Sequence, residues 1–335
     1  MKKNFGFIMA VAALVMVLAW TGPVQADTAP GPVQTYTVTG DVTSGWGTEG
    51  GDLWYDVLKE TAISSAGGYD DNATPPVYGV IVRPPTTSTS PNPVDPTNHN
   101  WIEVDYLLVT GQNGHKVLYS VGELDPRFGN GTVALTKNQN QKDYDLSGLG
   151  RAVKKVSTID VVHAFTNIKG VPNDVHPFSP SLVVSGAGIT PRTYDLAELQ
   201  AMSQANFDAS SSTSNTYGIW AGPTLRSLLK ASGVDTSNMN SYIIVQATDG
   251  YATLLSMYEV THNAGECPLT SVACPLPMLA IYGYYPDTDK YAINCTAAGN
   301  CSKGDAGLAR LVLPKDLAAG RWTSNTAQII VYKFK

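Results

Sequence analysis

The chain has no cysteine before Cys267, and only four in all: Cys267, Cys274, Cys295 and Cys301. None is spaced C-x-x-C or C-x-x-C-H, which excludes the usual zinc-knuckle, thioredoxin-like and covalent-haem patterns. The five histidines, His99, His115, His163, His176 and His262, are scattered, with no H-E-x-x-H among them. They read as surface or loop residues and not as a zinc site. No G-x-S-x-G elbow and no phosphate-cradling glycine loop occurs. Basic residues are also scarce, 22 Lys and Arg against 28 Asp and Glu. An acidic balance argues against nucleic acid, whose phosphates need a basic surface. It argues equally against docking on anionic lipid.

Long apolar runs are missing after the first 26 residues. Met1–Ala26 itself reads as a bacterial secretory signal peptide. Lys2 and Lys3 precede an apolar stretch from Phe5 to Ala19, and Val24-Gln25-Ala26 supplies the small-x-small cleavage pattern. The stretch is short for a membrane span, which needs about 20 apolar residues. The expectation is an exported protein, periplasmic or extracellular, without stable membrane insertion after cleavage. No cysteine follows the cleavage site, so a lipoprotein anchor is not expected. In an exported chain the even cysteine count suggests two structural disulfides. Three pairings are open; the local pair of bridges, Cys267–Cys274 with Cys295–Cys301, closes the shortest loops.

What is present is a repeat. Tyr106–Leu124 aligns without a gap on Tyr242–Val260, with Tyr106/Tyr242, Val109/Val245, Gly114/Gly250, Leu118/Leu254, Ser120/Ser256 and Glu123/Glu259 identical. Each copy reads strand, Asn-Gly or Asp-Gly turn, strand. Gly51–Lys59 matches Gly222–Lys230, both read as short helices with apolar residues three and four apart and with Pro223 in the first turn of the second. Gly150-Arg151 leads to Ile159–Val161 as Gly320-Arg321 leads to Ile329–Val331, both read as closing strands. The expected organisation is residues 27–166 as one domain with an insertion at 67–100, a linker at 167–177, and residues 178–335 as a second domain. That second domain carries an insertion at 261–307 with all four cysteines.

The second domain resembles the molybdopterin-binding domain of the sulfite oxidase family. The resemblance rests on the order of its landmarks: Leu182-Val-Val-Ser-Gly-Ala-Gly, Arg192-Thr-Tyr-Asp-Leu, Trp220-x-Gly222-Pro-x-Leu225, Ala247-Thr-Asp-Gly-Tyr251, Met278-Leu-Ala-Ile-Tyr-Gly283, Arg310-Leu-Val-Leu-Pro314 and Gly320-Arg-Trp322. The first domain looks like a diverged copy. The resemblance implies a mixed, strand-rich α/β fold of two tandem domains related by duplication. It also implies a crevice, for which Ser210, Ser211, Ser212, Tyr217, Trp220, Asp249, Tyr251 and Arg321 are the candidates. Core packing is the competing role of Tyr217, Trp220, Tyr251 and Trp322. The family's molybdenum-ligating cysteine has no counterpart in Asn206–Tyr217, where only serines occupy the region, and hydroxyls replace a soft thiolate poorly. The lysines that follow the family's Gly320-type glycine are missing too. The expectation is therefore no catalytic residue, no metal and no cofactor: a non-catalytic binding or structural protein with an unidentified ligand or partner. The alternative is a molybdopterin-dependent oxidoreductase, acting in sulfite- or sulfoxide-type redox chemistry through an atypical metal ligand. Asp287-Thr-Asp289 reads as a solvated loop, the calcium reading lacking further oxygen ligands.

Overall fold

The computed structural model describes residues 37–40, 61–62, 77–80, 105–124, 128–129, 131, 133–137, 144–164, 178–211, 216–262, 275–286, 289–295, 301–302, 307–317 and 319–334. Residues 1–26, read as a signal peptide, Gly51–Lys59, read as a helix, residues 167–177, read as a linker, and Cys267 and Cys274 lie outside them. The fold is mixed and strand-rich, as the sequence implied.

One sheet runs in the order β1 (Thr37–Gly40), β9 (Val156–His163), β4 (Asp105–Gly111), β5 (Lys116–Ser120). β1 is parallel to β9, and the other neighbours are antiparallel. A second sheet runs β11 (Arg192–Tyr194), β10 (Leu182–Gly186), β21 (Thr326–Lys333), β14 (Ser241–Ala247), β15 (Ala252–Ser256). Here β10 is parallel to β21, which is antiparallel to β14, itself in a hairpin with β15. The succession β1-β9-β4-β5 thus has the same order and directions as β10-β21-β14-β15.

The hairpins agree in detail. Gly114 and Gly250 have φ of 79° and 88°, values that glycine adopts at little steric cost. Gly111 N–H donates to the His115 carbonyl at 2.8 Å, and Ala247 N–H to that of Tyr251 at 2.7 Å. Leu108 faces Leu118 as Ile244 faces Leu254. The register slips at Thr110/Gly111 in one sheet and at Gln246/Ala247 in the other.

Two antiparallel sheets complete the architecture with the small pair β16 (Met278–Ala280) and β20 (Arg310–Val312). The first is β2 (Thr61–Ala62), β3 (Val77–Val80), β6 (Val133–Lys137), β7 (Tyr144–Gly148), β8 (Arg151–Val153). The second is β12 (Gln204–Ser211), β13 (Thr216–Pro223), β17 (Tyr282–Tyr285), β18 (Lys290–Cys295), β19 (Cys301–Ser302). The described helices are short: α1 (Val121–Leu124), α2 (Leu196–Ala201), α3 (Leu225–Ala231) and α4 (Met257–Thr261).

One sequence reading shifts. The helix expected from Gly222 begins at Leu225, after an N-cap by Thr224, whose side chain accepts from Ser227 N–H. Gly222 and Pro223 instead end β13, paired with Ala205 and Gln204. A Cβ on Gly222 would lie 2.0 Å from the Leu279 carbonyl oxygen, so the close approach of two backbones holds this glycine in the strand. The 261–307 insertion, where it is described, contributes to the core and to a sheet. Met278, Leu279, Ala280 and Ile293 are buried, and β17 and β18 extend the sheet of β12 and β13. The 67–100 insertion likewise contributes β3 at Val77–Val80.

β14 is buried along its whole length. Ile243 and Val245 face a large core with Leu182, Trp220, Leu228, Leu255 and Ile329. Tyr242 and Ile244 face a second cluster with Leu254, Tyr106 and Leu118, against which Leu108 packs. That cluster joins the two hairpins into one body. Tyr106 and Tyr242, equivalent in the repeat, lie with ring centroids 5.0 Å apart. A fully buried aliphatic side chain contributes about 1.5–3 kcal/mol, so this seam is a substantial apolar contact.

Candidate functional site

The candidate crevice residues fall in two places. Ser210 and Ser211 lie on β12 and Tyr217 on β13, with Ser210 opposite Tyr217 in the register. Ser212 is outside the described residues. Trp220, further along β13, is a core residue at 2 % exposure. It meets Trp322 edge-on at 5.6 Å and Tyr285 at 5.5 Å. The Asp249–Tyr251 turn sits elsewhere, at the end of the β14–β15 hairpin. Asp249 accepts from Tyr251 N–H at 2.8 Å, and the Tyr251 hydroxyl donates to the Gly320 carbonyl. Thr253 Oγ1 donates to the Arg321 carbonyl at 3.0 Å. The structure therefore joins Tyr251 to Gly320-Arg321, and Trp220 to Trp322, with β12–β13 and β14–β15 in separate sheets.

All three guanidinium nitrogens of Arg321 donate to carboxylates. Its Nε and Nη2 grip Asp316 at 2.9 and 2.6 Å, and Nη1 donates to Glu259 Oε1 at 2.9 Å. Asp316 is buried with its side chain at 0 % exposure. Burial alone would pull the guanidinium's pKa down; Asp316 first and Glu259 second reverse this and raise it above its ordinary value. The side chain crosses to the other half, where its Cδ would be 2.3 Å from a Cβ on Gly122. Only glycine leaves it that room.

Arg151 occupies the corresponding place in the first half. Its Nη2 donates to Glu123 Oε2 at 2.6 Å, and Nη1 donates to the Leu118 carbonyl at 2.7 Å and to Ser256 Oγ at 3.3 Å. Its guanidinium lies between the rings of Tyr119 and Tyr258, 4.2 and 4.4 Å from their centroids. His262 stacks on the Tyr258 ring with centroids 4.0 Å apart. Ser120 and Glu123 bond each other reciprocally, Ser120 N–H to Glu123 Oε1 and Glu123 N–H to Ser120 Oγ. Ser256 and Glu259 form the same capping box. Ser120 Oγ also donates to Glu259 Oε2 at 2.6 Å, across the seam. Three carboxyl groups thus share two guanidinium groups. Burial pushes the Glu123 carboxyl up to about 7; Arg151 opposes the rise and the Glu259 carboxylate adds to it.

Arg310 is the residue the sequence did not single out beyond its place in a motif. It opens β20 within the apolar run Leu308-Ala309-Arg310-Leu311-Val312, which is the available signal. Its guanidinium lies 5.2 Å from the Trp220 ring centroid and 5.7 Å from that of Trp322. Nη1 reaches the Tyr285 hydroxyl at 3.3 Å, while the buried Nε has no acceptor. The indole Nε1–H of Trp220 is likewise buried and without an acceptor. Burial lowers the Arg310 pKa, and the neighbouring Tyr285 only partly offsets it.

Among the described residues, no donor set for a molybdopterin centre comes together. The strands around Ser210–Tyr217 bring no thiolate to it among the described residues. Cys295 and Cys301 face each other across β18 and β19, and β18 is three strands from β12, roughly 14 Å at the usual strand spacing. Arg321 is consumed by Asp316 and Glu259. Among the described residues no cluster of His, Cys, Asp and Glu could hold a metal ion, and no helix is long and apolar enough to cross a membrane.

No protein-family model matches the chain, and no curated protein matches it. Among solved structures it is similar to the sulfane dehydrogenase SoxCD from Paracoccus pantotrophus, with a TM-score of 0.31 and 12% identity. That match covers 51% of this chain and 42% of the other, so the chain spans less than half the length of that relative. A likeness of this strength settles nothing about activity.

Proposed function

We propose that the chain is an exported, non-catalytic binding protein, built from two copies of a sulfite oxidase-like domain whose ancestral cofactor crevice no longer holds molybdopterin. The observation that carries the proposal is the fate of Arg321. The arginine that the resemblance puts beside the crevice is spent on Asp316 and Glu259, in a seam that locks one half to the other. The missing thiolate in Asn206–Tyr217 supports the same reading, since molybdenum needs a soft ligand there. Duplication is supported by the shared strand order, the matched turns at Gly114 and Gly250, and the paired capping boxes Ser120/Glu123 and Ser256/Glu259. Export is supported by the segment Lys2–Ala26.

In this reading the paired domains act as a rigid platform. Function resides in sites placed on a fold and not in the fold itself. The test is elemental and pterin analysis of protein purified from its native compartment. Absence of both molybdenum and acid-released pterin fluorescence agrees with the proposal. Stoichiometric molybdenum with sulfite or sulfoxide turnover would overturn it in favour of the oxidoreductase.

A further inference from the structure

A strand at the edge of a sheet carries a row of backbone N–H and C=O groups with no strand to pair, and chains that stay apart guard such edges with lysine, proline, a bulge or a covering element. The edges of this fold divide into three kinds. β5 and β15 lie against each other at the seam between the halves. β1, β2, β8, β11 and β19 have two to four residues each, and β16 and β20 have three. β12 stands apart from both kinds. It closes one side of its sheet, and among the described residues no strand pairs its outer side. It runs eight residues, Gln204-Ala-Asn-Phe-Asp-Ala-Ser-Ser211, without a lysine or a proline. Its register with β13 is unbroken over its whole length, whereas β14–β21, β4–β9 and β17–β18 each slip. Gln204 Nε2 ties the start of the strand to the carbonyls of Leu199 and Met202 at the end of α2. Phe207 is buried, while Asn206 and Asp208 are exposed.

We propose that β12 is a self-association edge, along which two copies of this chain pair antiparallel about a two-fold axis and join their sheets. The strand's own sequence selects the partner and the register. Outward-pointing N–H and C=O groups recur at every second residue of an antiparallel strand, and side chains alternate between faces with the same period. Two copies therefore form a complete ladder, exposed face beside exposed face, only when paired residue numbers are both even or both odd. Two such registers use nearly the whole strand. One centres on Asp208 and sets that carboxylate directly against its twin, which is destabilising. The other centres on Phe207 and sets Asn206 of each copy opposite Asp208 of the second copy, an amide donor beside a carboxylate, twice by symmetry. The contact is isologous and closes as a dimer. It holds whether or not the chain carries a cofactor.

Light scattering and sedimentation of the full exported chain, at concentrations up to about 100 μM, should show a dimer, since a contact of micromolar strength is well populated there. Hydrogen exchange should show the amides of residues 204–211 gaining protection as the dimer forms. Asn206 is exposed, so its variants should keep the fold, which a thermal melt checks. Asn206→Asp sets two like-charged pairs across the contact and should weaken dimerisation at least about fivefold. Asn206→Lys sets two opposite-charged pairs there and should tighten it by a similar factor, although a lysine on an edge ordinarily blocks pairing. A chain that stays monomeric at every concentration would overturn the proposal. So would a dimer whose 204–211 amides gain no protection, or one whose affinity the two variants shift in the same direction. Should a variant not fold, the exchange pattern of the wild type decides alone.

Discussion

Replacing Glu123 by glutamine should remove a pH dependence that the seam between the halves imposes on the whole protein. Glu123 sits at 6 % exposure beside Arg151, with Glu259 across the seam. Tyr119, Tyr258 and Arg321, whose side chain packs on Gly122, complete its surroundings, and Asp316 and Lys315 lie behind Arg321 and Glu259. Its carboxyl rises from 4.5 to about 7. The folded protein therefore holds this proton more tightly than the unfolded chain. The resulting stability is fully present below about pH 4.5 and is lost as pH rises through about 7. At about 1.36 kcal/mol for each pH unit between the two values, the loss approaches about 3 kcal/mol. Urea unfolding at pH 5 and pH 8 should give a lower midpoint for wild type at pH 8. Glu123→Gln keeps the shape without the titration, so the gap between variant and wild type should move in the variant's favour as pH rises. A wild type equally stable at both values, or a pH dependence that survives intact in Glu123→Gln, would refute the reasoning.

Arg321→Met should destabilise the protein by about 3–5 kcal/mol, because it leaves Asp316 ionised and buried without its partner; chemical denaturation measures this, and a loss under about 1 kcal/mol would contradict it. Gly222→Ala should cost about 1–3 kcal/mol through overpacking against the Leu279 carbonyl, which a Cβ would meet at 2.0 Å. A thermal melt no lower than wild type would show that the strand end is slack. Cys295 and Cys301, directly opposed on β18 and β19, should be recovered as one cross-linked peptide pair on digestion without reduction, leaving Cys267 with Cys274. Either crossed pairing would displace that assignment.

The hairpins were legible because their information is local. Asn113-Gly114 and Asp249-Gly250 announce turns that need positive φ, and the flanking apolar residues announce strands. The closing strands β9 and β21 were legible for the same reason. The start of α3 was missed by three residues, since Gly222-Pro223 is a helix-opening pattern until one knows that the Leu279 backbone lies against it. That contact joins residues more than fifty positions apart and leaves no local trace. The repeat alignment did place Glu123 with Glu259 and Arg151 with Arg321. Their bonding across the seam depended on how two sheets pack, which periodicity does not encode. Arg310 shows the same limit from the other side: its apolar neighbours in sequence foretell burial, but not the lack of a carboxylate partner among the described residues.

The most direct measurement on the central claim is the molybdenum and pterin content of the protein recovered from its native compartment, set against its protein concentration. The account predicts neither component above background. One molybdenum per chain with an equal amount of pterin would contradict it.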